Sequence, residues 1–326
     1  VRAIVIGRPG GPDVLELREV PQPAPLRGEV RVRVRATAVN RADLLQRMGQ
    51  YPAPPDAPQD IPGLEFAGEI DAVGEAAGDW KEGDRVFGLA GGGAYAEAIV
   101  VHGRALARIP ARLTFEQAAA VPEAFITAFD AIVTQARLGS GERVLIHAVG
   151  SGVGTAAAQI ARAIGARSIG TARTLAKLDR ARELGLDDGV LVKEGRFAAE
   201  VLTRTDQAGV DVILELVGGD YLGEDLACAA PRARVVLVGM LGGARTEIDL
   251  GSVLRKRVTI VGTMLRSRPL EEKIQAMQAF ARHLVPLFES GALRPVIDRT
   301  FPLSLAAKAH AYMATNDGFG KIVLTV

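Results

Sequence analysis

The chain has 326 residues, 48% of them hydrophobic and 24% charged, and a formal net charge of +1. That length carries two domains, and that composition belongs to a globular chain rather than a disordered one. Near-neutral charge gives no electrostatic reason to expect nucleic acid or an anionic membrane as the main partner. The lone cysteine, Cys228, excludes an intramolecular disulfide framework and any cysteine-rich metal site.

No signal peptide precedes the first strand-like run, "RAIVIG". The longest uncharged apolar stretches, such as "VVLVGMLGGA" (235–244), are too short to span a bilayer. A cytoplasmic protein is expected.

From residue 1 to about 110, period-two and β-rich runs dominate: "VRAIVIG", "EVRVRVRATAVN" and "EFAGEIDAVG". Prolines at 21–25 and 52–62 mark loops, and "GDRVFGLAGGGAYAEAIVV" reads as strand, glycine-rich turn, strand. This part is expected to be an irregular antiparallel β domain.

From about 122 to 262 the pattern becomes strand, helix, strand, helix. Strands are expected at 143–148, 167–171, 189–192, 210–216, 234–239 and 257–263, so the fold class is α/β with a doubly wound parallel sheet. The helix from "GTAAAQIARAIG" is expected to present Val153, Ala157, Ile160, Ala161 and Ile164 on one face. After 268 come one long helix, a loop, a short helix and a last strand, "GKIVLTV". A lone terminal strand needs a sheet, and the first domain is its natural host.

The stretch "VLIHAVGSGVGTAAAQIARAIGARSIGTARTLAKL" (144–178) carries the strongest chemical signal. An apolar strand runs into Gly150, Ser151, Gly152, Val153 and Gly154, a helix follows, and then a second strand. Glycines at such a turn allow positive φ, let a pyrophosphate approach the backbone, and let helix and strand pack tightly. The helix start supplies N–H groups and partial positive charge. Thr155 stands where a G-x-G-x-x-G pattern has its last glycine.

The second strand ends in Ala172-Arg173-Thr174, with Lys177 beyond, and holds no Asp or Glu. An NAD site usually places a carboxylate there to bond the ribose hydroxyls, and that carboxylate would repel a 2′-phosphate. Arg173, Thr174 and Lys177 suit a phosphate instead. The expected cofactor is NADPH.

Four longer stretches, "AVNRADLLQRMGQYPAPPDAPQDIPGLEFAGEI" (38–70), "GDRVFGLAGGGAYAE" (83–97), "VPEAFITAFDAI" (121–132) and "LIHAVGSGVGTAAAQIAR" (145–162), resemble the NADPH:quinone oxidoreductases. These form the zinc-independent branch of the medium-chain dehydrogenase/reductase superfamily. "VLRKRVTIVGTMLRSR" and "NDGFGKIVLTV" carry the resemblance to the C-terminus, and "SGVGTAA" with "LRSR" is most similar to the tumour-suppressor-inducible subgroup. The resemblance implies a GroES-like β-rich catalytic domain from 1–121 and 263–326, an inserted Rossmann domain at 122–262, and a homodimer.

Zinc-dependent relatives carry Cys where this chain has Asn40, His where it has Leu64, and Cys near Glu123. Of the four histidines (102, 147, 283 and 310), none shows ligand spacing. No metal is expected. Without a Lewis acid the expected acceptors are small molecules that take hydride readily, quinones or conjugated carbonyls.

The resemblance places Asn40 and Thr127 near the nicotinamide and suggests that Arg266 and Arg268 close over the cofactor, with Lys321 beside them. Tyr51 offers a phenol to a substrate oxygen and completes the expected catalytic set. Gly239, Met240 and Leu265 join the expected cofactor contacts, since Rossmann ligands lie at the carboxyl ends of strands. Val192 replaces a tyrosine that often holds the adenosine phosphate, though Lys193 stands beside it. Glu65 and Asp43 read as structural, and no strong general acid is visible. The expected reaction is quinone reduction. Its alternatives are enone (or enoyl thioester) reduction, with Tyr51 as proton donor, and a cofactor-binding sensor without turnover.

Overall fold

A computed structural model describes residues 1–326. Contacts divide the chain into two compact units, Val1–Ile126 with Leu265–Val326, and Thr127–Met264.

In chain order the first unit begins with β1 (Arg2–Ile6), β2 (Leu15–Glu19), β3 (Glu29–Val39), α1 (Arg41–Arg47), β4 (Glu65–Val73), β5 (Arg85–Leu89), β6 (Ala98–His102), β7 (Leu106–Arg108) and α2 (Phe115–Ala119), and the boundary at 126/127 falls within α3 (Pro122–Phe129). The second unit carries β8 (Arg143–Ile146), α4 (Gly152–Ala163), β9 (Arg167–Ala172), α5 (Leu175–Arg182), β10 (Asp188–Leu191), α6 (Ala198–Arg204), β11 (Val210–Glu215), α7 (Tyr221–Cys228), β12 (Ala229–Leu237), α8 (Leu250–Lys256) and β13 (Thr259–Gly262). The chain then adds α9 (Leu270–His283), α10 (Val285–Ser290), β14 (Ile297–Pro302), α11 (Ala306–Thr315) and β15 (Lys321–Thr325) to the first unit.

Alternation makes β3 the spine of the first unit. Val30, Val32 and Val34 point into the core with Phe66, Ile70 and Val86. On the other face Arg31 bonds Asp71 at 2.8 Å and Arg35 bonds Glu69 at 2.6 Å. The strand pairs antiparallel with β4, β6 and β15, in a sheet of order β14-β15-β3-β4-β5-β7. The terminal strand thus does lie beside β3, through Val39↔Ile322 to Ala36↔Thr325.

Two features here differ from the sequence reading. The long helix after 268 is two helices, because Pro286 cannot continue an α-helical ladder and sits in the first turn of α10. The loop after it contains β14, whose parallel pairing with β15 no local pattern announces.

The second unit holds a six-stranded parallel sheet of order β10-β9-β8-β11-β12-β13. This is the doubly wound α/β order, and its switch point lies between β8 and β11. β12 starts at Ala229, earlier than alternation suggested, through a register shift that puts Arg232 at φ 67°. α4 is buried at every position from Gly154 to Ala161, not on one face only. α3 ends in a π-helical turn over Asp130–Gln135. No helix is long and apolar enough to cross a membrane.

Candidate active site and nucleotide cradle

In the second unit β8 ends at Ile146, and the turn that follows leads to Ser151, the N-cap of α4. Ser151 Oγ accepts from Gly154 N at 3.0 Å, so its oxygen fixes the helix start. The glycines serve close approach rather than unusual backbone: Gly150, Gly152 and Gly154 all keep φ outside the left-handed region, and Ala148 takes it instead, at 45°. A Cβ on Gly154 would lie 2.6 Å from Ala148 O and 2.7 Å from Val149 Cα. Only a hydrogen fits where the helix lies on the turn.

Beyond β9, Arg173 and Thr174 are exposed and Lys177 is half-buried. Thr174 is the N-cap of α5 and makes no side-chain cap bond. After β12, Gly239 lies where a Cβ would come 2.5 Å from Leu216 O, and Met240 is exposed. Loop glycines 218 and 243 are bridged, which holds this edge against the end of β11. A helix N-terminus, backbone too close for a side chain and an acid-free cationic strand end together fit a phosphorylated dinucleotide.

Behind the cradle lies a buried cluster that sequence spacing did not reveal. His147 Nε2 is 2.8 Å from Asp225 Oδ1 and 3.8 Å from Glu215 Oε2, and its Nδ1 is 2.9 Å from Thr171 Oγ1. The three titratable side chains are fully buried, and their ligating atoms lie within 4.8 Å of one another. Burial pushes both carboxyls up and pushes the imidazole down to about 4. The cluster therefore holds a neutral imidazole and shares protons between its carboxyls.

In the first unit, Gly320 at φ 96° turns the chain so that Lys321 opens β15 facing inward; a Cβ there would lie 2.4 Å from Val296 O. The ammonium is buried. It reaches Glu65 Oε1 at 2.7 Å and Val39 O at 3.3 Å, and it also bonds Asn40 Oδ1 at 2.5 Å. Asn40 Nδ2 donates to the same Glu65 Oε1 at 2.8 Å. The second Glu65 oxygen accepts from the backbone N–H of Glu123 at 2.8 Å, at the start of α3.

Asp43 lies beneath this group. Its carboxylate accepts from Asn40 N at 2.7 Å, Gly63 N at 3.0 Å and the Tyr95 hydroxyl at 3.2 Å. Burial raises it to about 6, against the pull of those two backbone donors. The Tyr95 hydroxyl also meets His310 at 3.2 Å, and burial pushes that imidazole down to about 3.

Arg266 has its guanidinium bonded to Gly91 O at 2.8 Å, Tyr51 O at 3.2 Å and Gln46 Oε1 at 2.5 Å. It also stacks over the Tyr51 ring, 5.0 Å from the centroid. Burial raises the Tyr51 phenol above its usual value, so the phenol keeps its proton. Leu265, beside Arg266, is buried.

The structure thus brings Asn40, Tyr51, Leu265, Arg266 and Lys321 into the first unit, Leu265 opening its C-terminal segment, and the other expected site residues into the second. Thr127, the first residue of the second unit, is buried. What the sequence reading missed is Glu123. Its carboxyl is pushed up to about 8, first by burial and then by the Glu65 carboxylate. No local signal marks this, because Glu65 stands 58 residues away.

A GroES-like β sheet and a six-stranded Rossmann sheet define a medium-chain dehydrogenase/reductase. Residues 26–111 match the alcohol dehydrogenase GroES-like domain and 152–282 the zinc-binding dehydrogenase family. The chain is 34% identical to a human quinone oxidoreductase over 99% of its own length and 97% of the relative's. It is similar to a solved Escherichia coli quinone oxidoreductase complexed with NADPH, at TM-score 0.91, 28% identity and full coverage of both chains. It is also similar to the CurK enoyl reductase, at TM-score 0.87 and 29% identity, covering 99% of this chain and 98% of that one. The chain belongs to the quinone oxidoreductase family of the medium-chain dehydrogenase/reductases.

The matched family's zinc does not fit the residues around Asn40. They offer an amide, the apolar Leu64 and a Glu65 carboxylate already paired with an ammonium. A dication beside Lys321 would meet like charge in a buried site.

Lys321→Met is expected to destabilise the protein by about 3–5 kcal/mol, because it leaves the Glu65 carboxylate buried without its counter-ion. Adding Glu65→Gln should recover most of that loss. Thermal unfolding of the two single variants and the double variant closes the cycle.

Proposed function

We propose that the protein is an NADPH-dependent quinone oxidoreductase that works without zinc. Its family membership supports the reaction, and the acid-free edge Ala172-Arg173-Thr174 at the end of β9 carries the choice of cofactor. Gly150, Ser151, Gly152, Val153 and Gly154 would hold the pyrophosphate, and Arg173, Thr174 and Lys177 the 2′-phosphate. Gly239, Met240, Leu265, Arg266 and Lys321 complete the proposed cofactor site. When bound, NADPH supplies the hydride.

The chain's own side chains orient the acceptor. Asn40, locked between Glu65 and Lys321, presents a fixed amide, and Tyr51, locked by Arg266, presents a protonated phenol. Thr127 is the third proposed catalytic residue. Positioning and exclusion of water do most of the work.

We assign residues 1–121 and 263–326 to the catalytic domain and 122–262 to the nucleotide domain, supported by compact units that divide at 126/127 and 264/265. A cytoplasmic location accords with the buried free thiol of Cys228.

A homodimer through the edge of the Rossmann sheet is supported by apolar exposure next to the unpaired edge of β13. Leu250 is 71% and Leu254 79% exposed on α8, and Met264 follows the strand at 50%. Leu254→Glu should convert a dimer to a monomer in light scattering, with turnover of the monomer compared at equal chain concentration.

The cofactor reading is tested by initial rates on an ortho-quinone with NADPH and NADH side by side. Wild-type protein should prefer NADPH. Arg173→Ala should raise the KM for NADPH by about tenfold or more, the worth of a charge-assisted hydrogen bond, and leave that for NADH unchanged. Equal efficiency with both nucleotides would overturn the phosphate site.

A second reading, reduction of an enone, is favoured by the protonated phenol of Tyr51 and the likeness to an enoyl reductase. In that case Tyr51→Phe should slow enone turnover far more than quinone turnover.

A further inference from the structure

We propose that His147, Glu215 and Asp225 form a buried site for a divalent transition cation of the zinc type, contained wholly within the second unit. The inference stands apart from the proposed reaction and needs neither cofactor nor turnover.

Geometry carries it. Glu215 is the last residue of β11, Asp225 stands in α7, and His147 directly follows β8. All three are fully buried, and one ligating atom from each lies within 4.8 Å of the others. A tetrahedral ion bound at about 2.0–2.2 Å would set its ligands about 3.4 Å apart. The imidazole Nε2 lies 2.8 Å from Asp225 Oδ1 and 3.8 Å from Glu215 Oε2, on either side of that spacing.

Each carboxyl has one oxygen committed and one free. Glu215 Oε1 accepts from the backbone N–H groups of Val217 and Gly218. Asp225 Oδ1 faces the imidazole. Glu215 Oε2 and Asp225 Oδ2 are buried, and no donor of the protein reaches either. Their only ion-pair partner is His147; no Lys or Arg reaches them. Buried oxygens left in this way are costly, and buried carboxylates are ordinarily paired or bound to metal. A cation is the one ligand that both free oxygens and the imidazole nitrogen can serve together.

The imidazole is set up to ligate. Burial keeps it neutral, the form that coordinates metal. Its Nδ1 lies 2.9 Å from Thr171 Oγ1, which can accept the Nδ1 proton and so turn the Nε2 lone pair toward the carboxyls. The Phe197 and Tyr221 rings pack against it, with centroids 4.7 and 5.1 Å away, and hold its plane. One imidazole with two carboxylates and no thiolate suits Zn2+ or a neighbouring first-row ion, and offers too few oxygens for Ca2+. Two carboxylates offset the charge of the dication, so the filled site is neutral. Without the ion, shared protons neutralise the pair, and binding releases them to water.

The test is metal binding by the full chain. Protein stripped with a chelator and titrated with Co2+ should develop the visible d–d absorption of a low-coordinate ion, saturating at one equivalent, and Zn2+ should displace it. Zn2+ should also raise the thermal unfolding midpoint, and Mg2+ should not. Asp225→Asn puts an amide donor beside Glu215 Oε2. It should fold at least as stably as wild type without metal and bind Zn2+ about 100-fold more weakly or worse, since loss of an outer partner alone costs up to about that much. Should that variant fail to fold, Glu215→Gln tests the other carboxyl in the same way. Wild-type protein without the Co2+ band overturns the proposal and leaves the cluster as carboxyls sharing protons. An equal band in the variant places the ion elsewhere on the chain and overturns it too.

Discussion

The ammonium of Lys321 has left water almost completely, and that desolvation is costly unless every proton finds an acceptor. Three acceptors meet it: one oxygen of Glu65, the carbonyl of Val39 and the amide oxygen of Asn40. The last strand is thereby fixed to residues 281 and 282 positions earlier in the chain. Two consequences follow from this one buried charge. The amide of Asn40 can point only one way. The second oxygen of Glu65 is left to hold the start of α3 through the backbone N–H of Glu123.

That arrangement explains why the first unit is assembled from both ends of the chain. β15 alone would be a lone strand with an unpaired edge on each side. Paired with β3 and β14, it satisfies its ladder and delivers Lys321 to the interior. The backbone pairing and the buried ion pair are cooperative, because neither positions its partner without the other.

How much of this can be read in the sequence depends on the range of the interaction. The six strands of the second unit and the cradle at 150–154 are written in local patterns of apolar runs and glycines, and all but β12, which starts early at Ala229, stand close to where those patterns put them. The reason for the glycines had to come from the structure: close approach at Gly154, with the left-handed residue at Ala148. The broken helix at Pro286 was legible in principle, since proline's effect is local. β14 was not, because its strand character comes from pairing with β15. Least legible were the side-chain networks. Asn40 and Tyr51 could be named from a resemblance, but the raised Glu123 carboxyl owes its shift first to burial and then to a carboxylate 58 positions away. The His147 cluster likewise joins residues 68 and 78 positions apart.

That cluster gives the two units a common logic. His147 and Glu215 lie at the carboxyl ends of β8 and β11, where the switch point of a doubly wound sheet receives its ligand. Two ionised carboxylates there would set a negative field behind the edge proposed to take phosphates. Burial opposes it, holding the imidazole neutral and raising both carboxyls. Arg173 and Lys177 are then left to set the charge of that edge. In the first unit burial does the converse work on Glu123, keeping a proton on a carboxyl that faces a fixed negative charge. In both places the fold uses desolvation to favour the neutral form of a carboxyl.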